Sequence, residues 1–300
     1  MIFLTPTALM GAGMTFTITS GASGTVTNDV FWAGISAYWR RFPGFADQGS
    51  YGYSSIFPTG DGGFIWDVRP WVVPNMTLID FKRMSAILVT EWQSLGFIAD
   101  ADIAYFQYDN FYDMWSTSFP PDGIATPNVR TASRLFPKEN WVNPGLLSDT
   151  MAFIQHAINN GSSLISYNIN GAAPPGAAPN AVGPAWRNAY MFAIVGTIWN
   201  EKLPQSEIDA VNRRITENWT ASLRSLTPGG GTYLNEADVM DPDWQKAFYG
   251  YDNYLRLSSI KQTFDPWGLF YAPTGVGSEG WTVEGQKGYV TTQTGRLCRD

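Results

Sequence analysis

Residues 233–238 read Tyr-Leu-Asn-Glu-Ala-Asp, one residue after three glycines at 229–231. The acidic pair Glu236 and Asp238 has an amide (Asn235) and a phenol (Tyr233) beside it, and Trp244, Phe248, Tyr249, Tyr251 and Tyr254 follow closely. Two acids one residue apart suit either of two roles: a solvated or turn-satisfying pair at the end of an extended segment, or a proton-transfer site. A carboxylate serves as a base near neutral pH only where a low-dielectric surrounding raises its pKa, and neighbouring rings favour such a shift.

Few other residues compete for chemistry. The chain of 300 residues has one His and one Cys. His156 and Cys298 are too few for the usual zinc ligand sets or for a Cys/His nucleophilic pair. No G-x-S-x-G surrounds any Ser. A glycosidase pair would need a second acid, such as one of the acids in Asp-Pro-Asp at 241–243, and none is set apart by its own motif. Gly229–Gly231 precede an extended piece instead of opening a helix, so they read as a turn and not as a phosphate cradle. No metal site is expected.

The composition is that of a globular protein, with 44% hydrophobic and 15% charged residues. The net charge is −7, from 26 acids against 19 bases, and no basic stripe offsets it. Such a surface repels phosphates, which argues against a nucleic-acid partner. No apolar run reaches the roughly 18–20 residues that span a bilayer. The opening sequence MIFLTPTALMGAGMTF has no basic residues ahead of its apolar run and has Pro6 within it, so it reads as a buried strand. Sequons begin at Asn75, Asn160 and Asn218 and favour a secretory history.

The elements that must position these residues follow from periodicity. MTFTITS (14–20) alternates as a strand. Phe31, Trp32, Ile35 and Trp39 recur at helical spacing, with Thr27 or Asn28 as cap and Pro43 as stop. SYGYSSIFP and GGFIWDVRPWVVP are strands around the turn sequence TGDGG, and TLIDFKRMSAILVTEWQSLGF is a long amphipathic helix. Residues 100–123 are aromatic and read as partly helical, and VRTASRLFP as a short extended piece. Further on come a helix near 144–159, the strand SSLISYNING, a Pro/Ala/Gly loop, an apolar strand within AWRNAYMFAIVGTIW, and a helix capped by Ser206. The fold class expected is α+β: a mostly antiparallel sheet flanked by helices on one face, plus a C-terminal helical and loop segment. Asn168 and Asn170 on the SYNIN strand are candidate substrate contacts.

Four motifs in order carry a resemblance: Y-x-N-E-A-D at 233–238, F-Y-G-x-x-N-Y-x-R-L at 248–257, I-K-x-x-F-D-P-x-G-L-F at 260–270 and G-V-G-S-E-x-W at 275–281. Together they resemble the C-terminal segment of berberine-bridge-enzyme-like FAD-linked oxidases of the vanillyl-alcohol-oxidase fold. VFWAGISAYWRRFPGFADQGSYGY and VGPAWRNAYMF resemble the substrate-binding half, particularly of fungal members. The resemblance implies a substrate-binding domain at 1–227 and, at 228–300, a berberine-like segment that returns to a separate flavin domain. That flavin domain, with its covalent-attachment motif, has no counterpart in these residues. Residues 228–300 are therefore expected to expose apolar surface.

The resemblance further implies FAD as cofactor, hydride transfer from a small organic substrate to flavin, and fungal secondary metabolism as the setting. In many relatives the residue after the motif's Asn is a Tyr that serves as base; Glu236 stands there in this chain. Glu236 is then the expected proton acceptor with Tyr233, while Asn235, Asn253 and Tyr254 are the expected flavin contacts. The alternative is a non-catalytic relative or binding protein that retains an aromatic pocket.

Overall fold

A computed structural model of the chain describes residues 10–22, 24–119, 128–173, 176–178, 180 and 182–299. Residues 1–9 of the strand expected over 1–16 therefore lie outside the described residues, as does part of the Pro/Ala/Gly loop, while the end of that stretch falls in β1. In chain order the main elements are β1 (Gly11–Thr19), α1 (Asn28–Ala46), β2 (Tyr51–Pro58), β3 (Phe64–Pro74), α2 (Leu78–Ser94), β4 (Ala104–Tyr108) and α3 (Phe111–Ser118). They continue with β5 (Val129–Pro137), α4 (Glu139–Val142), α5 (Pro144–Asn159), β6 (Ser163–Asn168), α6 (Pro184–Arg187) and β7 (Ala189–Ile198). The last are α7 (Gln205–Arg214), α8 (Ala221–Leu226), α9 (Trp244–Tyr249), α10 (Tyr251–Phe264), β8 (Trp281–Val283) and β9 (Leu297–Arg299). A π-helical segment, Ile215–Thr220, joins α7 to α8. The chain divides into two compact units: residues 1–125 with 138–170, and residues 126–137 with 171–300. Residues 228–300 thus share a unit with residues 171–227, so the compact units are cut differently from the 1–227 and 228–300 division.

In the first unit the strands run β4-β1-β3-β2-β6, with antiparallel neighbours. The α+β expectation with an antiparallel sheet is met. Helices α1, α2 and α5 cover one face. There Phe16, Trp66 and Trp92 meet edge to face at 5.2–6.0 Å, and Tyr38 bridges Trp66 and Trp71 at 5.6 and 5.3 Å. Such ring pairs contribute about 0.5–1.5 kcal/mol each beyond area burial. Much of the aromatic content of the chain is therefore core. Gly34 is fixed by the same packing, because a Cβ there would lie 2.2 Å from the Phe97 ring. The opposite face holds α3, whose Met114 packs on Val72 and Tyr108.

Helix α1 extends past Pro43 to Ala46, although Pro43 reads as a stop. A proline in a helix interior withholds the N–H that would bond the carbonyl four residues earlier. Here that carbonyl belongs to Trp39, and it accepts a 2.7 Å bond from the Trp141 indole Nε1 instead. The missing donor is replaced across the fold. Thr27 caps the helix as expected, accepting from the Val30 N–H.

In the second unit β5 pairs antiparallel with β7, whose residues are buried up to the last. Helix α7 starts one residue before Ser206, with Pro204 at its boundary and no side-chain cap. From the end of α10 onward the apolar surface expected for 228–300 is present: Phe264, Trp267, Leu269 and Phe270 are each about 80% exposed.

Candidate functional site

The second unit holds a cleft of about 490 Å³ whose lining includes Trp186, Gly231, Tyr233, Phe248, Tyr249 and Tyr251. Its position follows from how residues 231–238 lie along β5. Gly231 C=O accepts from Leu135 N–H at 2.8 Å, and Thr232 N–H donates to Ala247 C=O at 2.8 Å. The Ser133 and Thr232 hydroxyls are 2.7 Å apart. The Thr131 hydroxyl donates to the Glu236 carbonyl at 2.8 Å. The glycines earn their place by close approach: a Cβ on Gly231 would come within 2.7 Å of the Ala247 carbonyl, and one on Gly230 within 2.8 Å of the Leu135 carbonyl. Gly229 turns the chain at φ +74°. Their role is the turn expected of them, with close packing at Gly230 and Gly231.

The two acids of the motif have different surroundings. Asp238 is buried, and its carboxylate is taken up by Arg130, by the Thr220 hydroxyl at 2.9 Å and by the Met240 N–H at 2.9 Å. Arg130 in turn donates to Asn212 Oδ1 at 2.9 Å and Thr216 Oγ1 at 3.3 Å. The π-helical segment supplies both threonines, four residues apart; π turns of this kind recur where a helix must present side chains off the regular pitch. Glu236 is half-buried and closes the short 3₁₀ turn Leu234–Glu236, held by its main chain. Next to it stand Asn235 and Tyr233, with the Asn235 amide donating to the Tyr233 hydroxyl at 2.9 Å. The Tyr233 ring is 41% exposed and leans on Trp186 and Phe192, each at 6.4 Å between centroids. Of the motif, Tyr233 and Leu234 line the cleft; Asn235 and Glu236 adjoin Tyr233 on the same turn without lining it, and Asp238 anchors the turn.

A second buried carboxylate, Asp241, lies against Arg224 at 3.1 Å and Arg134 at 3.8 Å. Burial raises the Asp241 pKa, opposed by the Asp243 N–H and both arginines, and burial lowers that of Arg134. Arg130, Thr131, Ser133 and Arg134 are the residues that sequence reasoning passed over in VRTASRLFP. Their signal was polarity in a strand otherwise fit for a core.

The remaining candidates are placed elsewhere. Asn253 is exposed in the first turn of α10, and neither it nor Tyr254 lines the cleft; Gly250 and Tyr251 do. Tyr254 is 6% exposed, and its hydroxyl donates to Glu279 at 2.6 Å while accepting from Gly277 N–H at 3.2 Å. Burial, reinforced by the Glu279 contact, pushes its pKa up to about 12. It is a structural donor, not an open one. Asn168 and Asn170 belong to the first unit. Asn168 shares the covered face with Leu164 and Ser166, is fully buried, and has no hydrogen-bond partner for its amide among the described residues. Asn170 lies past the end of β6 and donates to Asp47 Oδ1 at 3.0 Å. Asn168 thus faces the covered side of the sheet, and Asn170 the Asp47 carboxylate past the strand end. Among the described residues no group of His, Cys, Asp and Glu is arranged to hold a metal ion, and no helix is long and apolar enough to cross a membrane.

Residues 232–277, which include the Tyr233–Asp238 turn and half of the residues lining the cleft, match the family model described as berberine and berberine like. The segment is berberine-like. Similarity extends well beyond it. Over 300 residues the chain is 31% identical to a bifunctional decalin synthase of Penicillium decumbens, covering 97% of this chain and 48% of that protein. It is 28% identical over 282 residues to a VAO-type flavoprotein oxidase of Thermothelomyces thermophilus, covering 91% and 45%. An FAD-linked oxidoreductase of Aspergillus clavatus is also 28% identical, over 280 residues, covering 90% and 44%. The chain spans about half the length of the curated relatives it matches. A solved VAO-type flavoprotein from Myceliophthora thermophila superposes with a TM-score of 0.79 at 26% identity, over 97% of this chain and 50% of that one. Berberine bridge enzyme from Eschscholzia californica shares the fold at a TM-score of 0.54 and 11% identity, over 88% and 55%. The resemblance read in the four motifs is thereby supported: this chain is a relative of fungal FAD-linked oxidoreductases.

Proposed function

We propose that the chain supplies the substrate-side wall and the berberine-like segment of an FAD-dependent oxidoreductase, acting with a flavin-bearing domain on a small organic substrate. One observation carries the reading: the two carboxylates of the motif are separated, Asp238 into a buried pair and Glu236 to a turn beside the exposed Tyr233 and Asn235. The cleft lining is aromatic and glycine-rich with Lys246 as its charged member, which fits a flat, uncharged ring system. Tyr233 and Asn235 are the residues that would hold such a ring. FAD, when bound, supplies the hydride acceptor.

Glu236 takes the substrate proton on a carboxylate oxygen as hydride leaves the same substrate. Asn235 holds the Tyr233 hydroxyl, which keeps its own proton available for donation. The apolar surface at Phe264, Trp267, Leu269 and Phe270 is the face the flavin-bearing domain covers, since exposed patches of this kind mark interaction sites. Replacing Glu236→Gln in the chain joined to its flavin-bearing domain tests the assignment. A positioned general base contributes about 10²–10⁴-fold, so kcat should fall by that factor with substrate binding retained. An unchanged kcat removes Glu236 from the role.

A further inference from the structure

The chain carries three sequons, Asn75-Met-Thr, Asn160-Gly-Ser and Asn218-Trp-Thr, and the fold treats them differently. Asn75 occupies the turn between β3 and α2 with φ +56°, in the left-handed region that asparagine tolerates. Its backbone N–H is held by the Met10 carbonyl at 2.7 Å, while its side chain is exposed and has no partner among the described residues. All three sequon residues precede the helix: Thr77, also exposed, is extended at φ −77°, ψ 158°, and caps α2 by accepting from Asp80 N–H. Asn160 differs. Its amide nitrogen is turned back onto the end of α5, donating to the His156 carbonyl at 2.8 Å, and Ser162 is fully buried. Asn218 sits within the π-helical segment, and the Thr220 hydroxyl is buried against Asp238.

We infer that Asn75 is an N-glycosylation site and carries an N-linked oligosaccharide in the folded protein. The modification is a group transfer. Asn75 Nδ2 bonds to the anomeric carbon of an oligosaccharide activated as a lipid pyrophosphate. The anomeric C–O bond breaks, the lipid pyrophosphate leaves with the electron pair, and the amide loses one proton to a base. No electron is gained or lost overall. At Asn75 the product needs no rearrangement, because the carboxamide already stands in solvent and the fold gives its N–H bonds nothing to lose. Folding withdraws the other two sequons, one onto a helix end and one into the clamp around Asp238. The inference is independent of the flavin reading and implies passage through a secretory compartment.

The test translates the full chain behind a cleavable leader in the presence of microsomal membranes. Peptide mapping then follows peptide-N-glycosidase treatment in ¹⁸O water, which marks each released site as a heavy Asp. Position 75 is expected to carry the label as the most occupied of the three. Asn75→Asp keeps a residue that tolerates this φ and should abolish that glycan. Thr77→Asp keeps a helix-capping side chain and should abolish it too, whereas Thr77→Ser should retain it. An unlabelled position 75, or a glycan that survives Thr77→Asp, overturns the assignment, and either is readable even if a variant folds poorly.

Discussion

Replacing Asp238→Ala removes the carboxylate that ties the cleft turn to β5 and to the π-helical segment. Arg130 is then left with its charge 12% exposed and only the neutral oxygens of Asn212 and Thr216 as partners. Removing one member of a buried pair costs about 3–5 kcal/mol, because the remaining charge stays buried. The two retained contacts place this variant at the lower end, about 3 kcal/mol, and the Thr220 hydroxyl and Met240 N–H lose their acceptor as well. Arg130→Met in the same background removes the stranded charge and should recover part of the loss. Two readouts are needed. Urea unfolding of the four members of the cycle gives the coupling, and amide hydrogen exchange shows whether residues 231–238 open before the rest of the second unit. Exchange at the Thr232 and Glu236 amides should accelerate in Asp238→Ala and return towards wild type in the double variant. A cost under about 1 kcal/mol with no change in exchange would mean that Thr131, Ser133 and Leu135 hold the turn unaided, and that the split between Glu236 and Asp238 has no structural basis.

Two further outcomes follow from individual contacts. The Tyr254 phenol has a folded pKa of about 12 against an ordinary value of 10.0, so its contribution is fully present below pH 10 and is lost as pH rises through the folded value. The denaturation midpoint should therefore fall between pH 10 and 12, and absorbance at the phenolate band should lose one of its late-titrating tyrosines in Tyr254→Phe, Tyr38 remaining among the others; a Tyr254 titrating with the exposed phenols contradicts the Glu279 contact. Trp141→Phe removes the donor to the Trp39 carbonyl in α1 and should cost about 1–3 kcal/mol, the penalty of an unsatisfied buried acceptor. Pro43→Ala restores an N–H four residues on, so Pro43→Ala with Trp141→Phe should be more stable than Trp141→Phe alone in thermal unfolding; equal midpoints would show that the Trp39 carbonyl needs no donor.

The parts of the fold that were legible in the sequence are those written in local patterns. The TGDGG turn between two β-rich runs is the β2–β3 hairpin, and the amphipathic run after Thr77 is α2. What local pattern could not carry was compensation at a distance. Pro43 reads as a stop because the residue that relieves it, Trp141, lies 102 positions from the carbonyl it serves. AYFQY at 104–108 is too rich in rings to betray its period, and it became β4 only by pairing with β1. The site shows the same division. Tyr233, Asn235 and Glu236 were legible as a cluster because they are adjacent. The difference between Glu236 and Asp238 was not, since Arg130, which decides it, is 108 residues away from Asp238.

Asn168 marks the boundary between the two cases. Leu164, Ser166 and Asn168 alternate on one face of β6, and period two alone puts all three on the same side. An apolar Leu164 at the head of that series indicates the covered face, where a polar side chain needs a partner of its own. Ser166 finds one in Ser54 at 2.9 Å; Asn168, beside Gly52, does not. A buried amide without partners among the described residues costs free energy that its neighbours must offset, and the space opposite it at Gly52 is taken up by the Tyr38 hydroxyl, 2.3 Å from where a Cβ would stand. The inference from chemistry-bearing letters to a site therefore holds only for side chains that the fold leaves open: Tyr233, on a loop, passes that condition and Asn168, on the covered face of β6, does not, although both belong to stretches equally rich in polar and aromatic residues.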